Sequence, residues 1–169
     1  MLPPRKIDVV EEEWSAQYSV LKDRYKILVL ESDSGGGKSR WSRLRRNRDE
    51  IFEVDCAGKR FMDLRGLERP KHKYCLCDGA EPALVLANRK LFEAGASICT
   101  LGESSTGMGS YKVWVSGLRF IITSNNWMEL LGKVKSAADR ERLRQNSVYH
   151  HCTEPLYEQS TVASGSGAA

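Results

Sequence analysis

The sequence lacks the features of a membrane-spanning, secreted or zinc-binding protein. No stretch approaches the ~20 consecutive apolar residues of a transmembrane helix, and the opening residues MLPPRKIDVV contain no apolar signal core. The five cysteines form neither a CxxC pair nor a zinc spacing, and the adjacent His150 and His151 would face opposite sides of a strand. Cys75 and Cys77 lie in an apolar run, which predicts buried free thiols. We therefore expect an intracellular protein, cytoplasmic or nuclear, that is not secreted and does not contact membranes.

The composition is that of an ordinary globular domain. The 169 residues are 41% hydrophobic and 28% charged, which is enough for one domain with a buried core. The net charge of +4 permits contact with nucleic acid but does not require it. The basic run RLRRNR, residues 43–48, could bind a phosphate backbone, although a solvated helix face is the favoured interpretation.

Short apolar runs alternate with helical patterns along the chain. The predicted helices are residues 10–24, 39–50, 81–95 and 127–144. The predicted strands are residues 26–32, 51–56, 74–78, 119–124 and 148–152, with a β-hairpin at residues 97–116. This alternation predicts an α/β fold with a mainly parallel five-stranded sheet that is covered on both faces.

The stretch SDSGGGKS, residues 32–39, is similar to a phosphate-binding loop. That pattern is glycine, four residues, glycine, lysine, then serine or threonine, and here Ser32 stands at the leading glycine. A predicted buried strand enters the loop and a helix leaves it, so the context is suitable. Backbone N–H groups would surround the phosphates of ATP, Lys38 would reach the β- and γ-phosphates, and Ser39 would bind Mg²⁺. The residues assigned to cofactor binding are Ser32, Gly35, Gly36, Gly37, Lys38 and Ser39. A glycine-rich turn that happens to precede a lysine is the alternative.

Two later strands end in polar residues that suit the same chemistry. Asp78 could hold Mg²⁺ together with Ser39. Hydrolysing P-loop enzymes usually carry a glutamate at the next position, where this chain has Gly79; restoring glutamate there should recover some turnover if the backbone permits a side chain. Glu81 could act as the base by swinging inward, although capping of the following helix is favoured. Asn125 could orient the attacking water.

Taken together, these motifs resemble the superfamily 3 helicase domain of Rep proteins from circular single-stranded DNA viruses. The resemblance is closer to the cellular, endogenised Rep-helicase-like proteins of some protists. It rests on KILVLESDSGGGKSRW, KYCLCDGAEP, TLGESSTGMGSYKVWV and RFIITSNNW, in that order. We assign it to residues 24–157, with an N-terminal helical segment at residues 1–23 and a disordered tail at residues 158–169.

The resemblance implies a three-layer, AAA+-like P-loop NTPase fold with an inserted hairpin. The strand before the glycine loop should lie between the asparagine strand and the last strand, with the acidic strand on the other side of the asparagine strand. In the family the hairpin tip contacts single-stranded DNA in the pore of a hexamer, and Lys112 and Tyr111 are the nearest match to its basic and aromatic contacts. An arginine acts across the subunit interface in the family. The candidates for it are Arg140, Arg142 and Arg144.

Three functions follow from these residues. The leading hypothesis is a P-loop protein that binds ATP with Mg²⁺ and hydrolyses it slowly or not at all, because the catalytic glutamate is missing. The first alternative is an active DNA-dependent ATPase or helicase whose base is Glu81 or comes from a neighbouring subunit. The second alternative is a DNA- or protein-binding module that does not use nucleotide.

Overall fold

The computed structural model describes residues 5–33, 37–95, 98–102 and 109–153. Its strands are β1 (Ile27–Glu31), β2 (Ile51–Asp55), β3 (Tyr74–Asp78), β4 (Ile98–Leu101), β5 (Tyr111–Trp114), β6 (Arg119–Ser124) and β7 (Ser147–His151). Its α-helices are α1 (Lys6–Ala16), α2 (Lys38–Leu44), α3 (Pro82–Ala87), α4 (Arg89–Glu93), α5 (Trp127–Gly132) and α6 (Ala137–Gln145). The predicted tail at residues 158–169 lies outside the described residues.

Five strands form one parallel sheet in the order β2-β3-β6-β1-β7. The central strands β1 and β6 are almost wholly buried because both of their faces are covered. The strand before the glycine loop therefore lies between the asparagine strand and the last strand, and the acidic strand β3 lies beside β6. The predicted α/β class, the parallel sheet and the strand order are confirmed.

Alternate residues of β1 contribute to two hydrophobic cores, one on each side of the sheet. Leu28 and Leu30 pack with Trp14 of α1 and Trp41 of α2 on one side. Ile27 and Val29 belong to the other core, which also contains buried residues of the remaining helices and of the hairpin. The sheet is thus the middle of three layers.

The helices are shorter than the sequence predicts. The helix predicted over residues 81–95 is split at Asn88, whose φ of −125° and ψ of 42° are not helical. The left-handed residue that ends its second half is Ala94, with a φ of 50°. The next residue must be glycine, because a Cβ on Gly95 would lie 1.5 Å from the carbonyl oxygen of Asp23.

The basic run at residues 43–48 is not a simple solvated helix face. The Arg46 side chain is only 3% exposed, forms an ion pair with Glu11 of α1, and lies over the ring of Tyr74 at 4.9 Å. Arg45 also ion-pairs with Glu11, at 2.9 Å. Arg45 and Arg46 therefore fasten the end of α2 to α1. The prediction was wrong for Arg46, because a partner on a helix distant in sequence leaves no local pattern, whereas Arg45, Asn47 and Arg48 are exposed as predicted.

The predicted β-hairpin is present as β4 and β5, which pair antiparallel from Ile98 opposite Trp114 to Leu101 opposite Tyr111. Residues 103–108, the predicted tip, lie outside the described residues.

All five cysteines are buried and unpaired, as predicted for Cys75 and Cys77. Within the described ranges no helix is both long and apolar enough to span a bilayer.

Candidate functional site

The polar residues that the sequence singled out meet at the carboxyl edge of the sheet. Ser32 follows β1, Asp78 ends β3, and Asn125 follows β6. Since these three strands are parallel neighbours, their carboxyl ends lie side by side. The α2 helix begins at Lys38, so its first turn faces the same edge.

Lys38 is the centre of this edge. Its Nζ donates hydrogen bonds to Ser32 Oγ at 2.9 Å, to Asn125 Oδ1 at 3.0 Å and to the Ser32 carbonyl oxygen at 3.1 Å, with the Asp33 carbonyl oxygen at 3.4 Å. The residue is only 8% exposed, and this burial lowers the pKa of Lys38. Its ammonium group thus meets neutral oxygens in a partly desolvated place, where it would attract an anion strongly.

Ser32 is accommodated at the position of the leading glycine. Its backbone is not left-handed, since Ala94 is the one described residue other than glycine with a positive φ. Its hydroxyl donates to the Asp33 carbonyl oxygen at 3.0 Å and accepts from Lys38. The glycine that requires a left-handed backbone is Gly37, at a φ of 81°. Gly35 and Gly36, also assigned to the loop, lie outside the described residues.

Ser39 and Asp78 form the candidate metal site. Ser39 Oγ lies 3.4 Å from Asp78 Oδ1, which also accepts a hydrogen bond of 2.7 Å from Thr123 Oγ1. Among the described residues, no group of three or more His, Cys, Asp or Glu side chains could hold a metal ion. A hydroxyl and one carboxylate nevertheless suit Mg²⁺, which commonly takes its remaining oxygens from phosphates and water.

The two positions considered for a catalytic base, Gly79 and Glu81, follow β3. Gly79 has a φ of 75°, and a Cβ on it would lie 3.3 Å from the Cβ of Ala57. The backbone therefore disfavours the glutamate that hydrolysing P-loop enzymes carry. Glu81 is exposed at the start of α3, but its side chain forms no capping hydrogen bond, so the capping prediction was wrong.

Tyr111, one of the two residues predicted to contact DNA, is used to anchor the hairpin. Its hydroxyl accepts a hydrogen bond of 2.8 Å from Leu64 N and lies 3.3 Å from Asp63 Oδ1. Its ring lies under the Arg65 guanidinium at 4.6 Å. Because neighbouring residues of a strand face opposite sides, Tyr111 does not share a face with Lys112.

The aromatic residue that accompanies Lys112 is Trp114. Lys112 and Trp114 are exposed on the outer face of β5, and Trp114 is 52% accessible. Ile98, opposite Trp114 on β4, is 58% accessible. Sequence reasoning missed Trp114, although the alternation of a strand was sufficient to indicate it.

The three arginines considered for a role between subunits differ in the partners of their side chains. Arg140 donates a hydrogen bond to the Lys135 carbonyl oxygen at 3.2 Å, and Arg144 lies 3.8 Å from Glu141. Arg142 is exposed and has no ion-pair or hydrogen-bond partner for its side chain among the described residues. It is therefore the arginine of the three that is most available to another molecule.

No protein-family model matches the sequence, and no curated protein matches it. Among solved structures, the chain is similar to the apo structure of the NrS-1 C-terminal region, residues 305–718, with a TM-score of 0.44 and 12% sequence identity. The match covers 83% of this chain and 39% of that one, so this chain spans less than half of that structure's length. The similarity is too weak to carry an argument about function.

Proposed function

We propose that the protein binds ATP with Mg²⁺ at the loop between β1 and α2 and hydrolyses it slowly or not at all. The observation that supports this most is the Lys38 ammonium, which is buried at the carboxyl edge of a parallel sheet among neutral oxygens. Such a cation is suited to the β- and γ-phosphates of a nucleotide. On this proposal the chain is a P-loop NTPase relative of the superfamily 3 kind.

The neighbouring residues have the chemistry for the other parts of Mg·ATP. Backbone N–H groups of the glycine loop would contact the phosphates, and Ser39 and Asp78 would share the metal ion. Asn125, already 3.0 Å from Lys38 Nζ, would present its amide to the third phosphate or to a water beside it. Bound Mg²⁺ would neutralise phosphate charge.

Slow hydrolysis follows from the missing base. Neither Asn125 nor Asp78 is well suited to take a proton from water, and the backbone at Gly79 disfavours a glutamate. A missing general base typically costs on the order of 10²–10⁴-fold in rate. Binding without efficient turnover is therefore the function that this set of residues supports best.

A second candidate is an ATPase or helicase that acts on single-stranded DNA, as a hexamer by analogy with the family, and takes its base from Glu81 or from another subunit. The outer face of the hairpin favours it, because Lys112 could pair with a backbone phosphate and Trp114 could stack on a base. If no nucleotide binds, this face would instead support a DNA-binding module.

Thermal unfolding with increasing ATP, with and without Mg²⁺, tests the proposal. A ligand that binds only the folded state raises the midpoint by mass action. We expect a rise with Mg·ATP that is largely lost in Lys38→Ala. Lys133→Ala is the matched control, because its side chain is 67% exposed and it lies at the end of α5, outside the loop. A wild-type protein that shows no shift at millimolar Mg·ATP would exclude nucleotide binding.

A further inference from the structure

Glu31 is a buried carboxylate immediately before the loop that carries Lys38. It ends β1 and is 9% exposed, although the rest of that strand is apolar. Its Oε1 accepts a hydrogen bond of 2.7 Å from the backbone N of Met128. Tyr149 of β7 lies near the same carboxylate, and burial together with this negative charge raises the pKa of Tyr149. A buried charge is costly unless hydrogen-bond donors compensate it, so the carboxylate of Glu31 needs the donor that Met128 N supplies.

The contact with Met128 fixes the beginning of α5. Met128 is the second residue of that helix, where backbone N–H groups have no partner inside the helix. The preceding Asn126 caps none of them with its side chain. The first bond within the helix runs from Leu130 N to the Asn126 carbonyl oxygen, at 3.1 Å. Glu31 is therefore the group that ties the first turn of α5 to the end of β1.

Asn125 lies in the short segment between β6 and this first turn. Its Oδ1 accepts the 3.0 Å hydrogen bond from Lys38 Nζ. Glu31 and Lys38 thus hold the same segment from two sides, one through the Met128 backbone and the other through the Asn125 side chain. Ser124 Oγ also holds this segment, through a hydrogen bond of 3.2 Å from Asn126 N. A change at Glu31 would therefore release one of three attachments while leaving Lys38 in its loop.

We propose that Glu31 is a positioning residue that sets the place of Asn125 beside Lys38, so that the Asn125 amide can contact the third phosphate of a nucleoside triphosphate. This inference rests on the proposed nucleotide binding and goes beyond it. It predicts that Glu31 governs discrimination between ATP and ADP. ADP lacks the phosphate that Asn125 would contact, so the loss of a positioning role would weaken the binding of ATP alone. The loss of a merely structural role would lower stability and weaken the binding of both nucleotides alike.

The test compares Glu31→Gln with Glu31→Met, two side chains of similar length that differ in their ability to accept a hydrogen bond. Glutamine keeps an acceptor for Met128 N, whereas methionine fills the same buried space without one. The Kd values of Mg·ATP and Mg·ADP are measured by calorimetry for each protein. In the absence of nucleotide, hydrogen exchange of the Met128 amide reports the bond itself. Tyr149→Phe is the control, since it removes a hydroxyl near the Glu31 carboxylate and leaves the bond to Met128 N in place.

We expect Glu31→Gln and Tyr149→Phe to keep the wild-type ratio of the two Kd values within about twofold. Glu31→Met should lower the preference for ATP over ADP by about tenfold, because one hydrogen bond from Asn125 to the charged third phosphate would be lost. Asn125→Ala should lower this preference by the same factor. Combining Glu31→Met with Asn125→Ala should add no further loss. The Met128 amide should be protected in wild type and in Glu31→Gln, and it should exchange rapidly in Glu31→Met.

An unchanged ratio in Glu31→Met, or a ratio that falls equally in Glu31→Gln, would overturn the inference while leaving nucleotide binding intact. If Glu31→Met does not fold, rapid exchange of the Met128 amide in the wild-type protein would overturn it instead. A wild-type protein that binds neither nucleotide would overturn the proposed function and this inference together. These outcomes are distinguishable in the same set of titrations.

Discussion

The residue after Asp78 offers the sharpest test of why hydrolysis should be slow. Gly79 has a φ of 75°, and a Cβ there would lie 3.3 Å from the Cβ and 3.4 Å from the Cα of Ala57. A left-handed backbone costs a residue with a side chain about 1–2 kcal/mol. We expect Gly79→Ala to lose at least that amount of unfolding free energy, roughly 2–8 °C in Tm for a domain of this size.

Gly58→Ala provides a matched control for this measurement. Gly58 has a φ of 68°, and a methyl group added to it would meet no atom within 4 Å beyond its chain neighbours, so it carries the backbone cost without the contact. Chemical denaturation of both variants should therefore show a larger loss for Gly79→Ala, and the difference measures the contact with Ala57. Equal losses of unfolding free energy in the two variants would show that Ala57 moves away from the added methyl group at no cost.

The same geometry predicts that Gly79→Glu does not restore catalysis. Ala57 follows β2, and the strand order places β2 on the opposite side of β3 from the loop of Lys38. A side chain that leaves residue 79 toward Ala57 therefore points away from Lys38, the residue proposed to contact the phosphates. We expect ATP turnover to stay at the wild-type level, contrary to the recovery that the sequence pattern suggests. A gain of about tenfold or more would refute this reasoning.

Four further predictions concern single side chains. Ser32→Ala removes one acceptor that holds Lys38 in the free protein, so Mg·ATP should bind about three- to tenfold more tightly by calorimetry; weaker binding would mean that the hydroxyl contacts the nucleotide. Glu81→Gln should change the unfolding free energy by less than about 0.5 kcal/mol and leave any turnover unaltered, whereas lost turnover would identify Glu81 as the base. Trp114→Ala should weaken single-stranded DNA binding by about 1–3 kcal/mol in a fluorescence titration. Tyr111→Phe should leave DNA affinity unchanged and lower stability by about 1 kcal/mol, and the reverse pattern would restore Tyr111 as the contact.

The arrangement of the sheet could be predicted because its signals are local. Apolar runs such as Ile27–Glu31 mark strands buried on both faces, and a polar residue after each run marks the carboxyl edge. That is why Lys38, Asp78 and Asn125 were expected together, and the structure brings them together. Their roles toward nucleotide remain predictions.

Other parts of the site depend on residues that are distant in sequence. The constraint on Gly79 comes from Ala57 on the neighbouring strand's loop, and the role inferred for Glu31 comes from the start of α5. Arg46 has its partner on α1. Such pairings leave no periodic signal, so sequence reasoning could not find them. The position of Tyr111 is different, because alternation along a strand was sufficient to show that it does not share the exposed face of Lys112.

The central claim is that this protein holds ATP without consuming it. The most direct measurement mixes an excess of protein with trace ATP labelled in its third phosphate, with Mg²⁺ and single-stranded DNA present, and identifies the nucleotide recovered with the protein over time. We predict intact ATP on the wild-type protein and little nucleotide on Lys38→Ala. Prompt release of labelled phosphate that requires Lys38, or no bound nucleotide at all, would contradict the account.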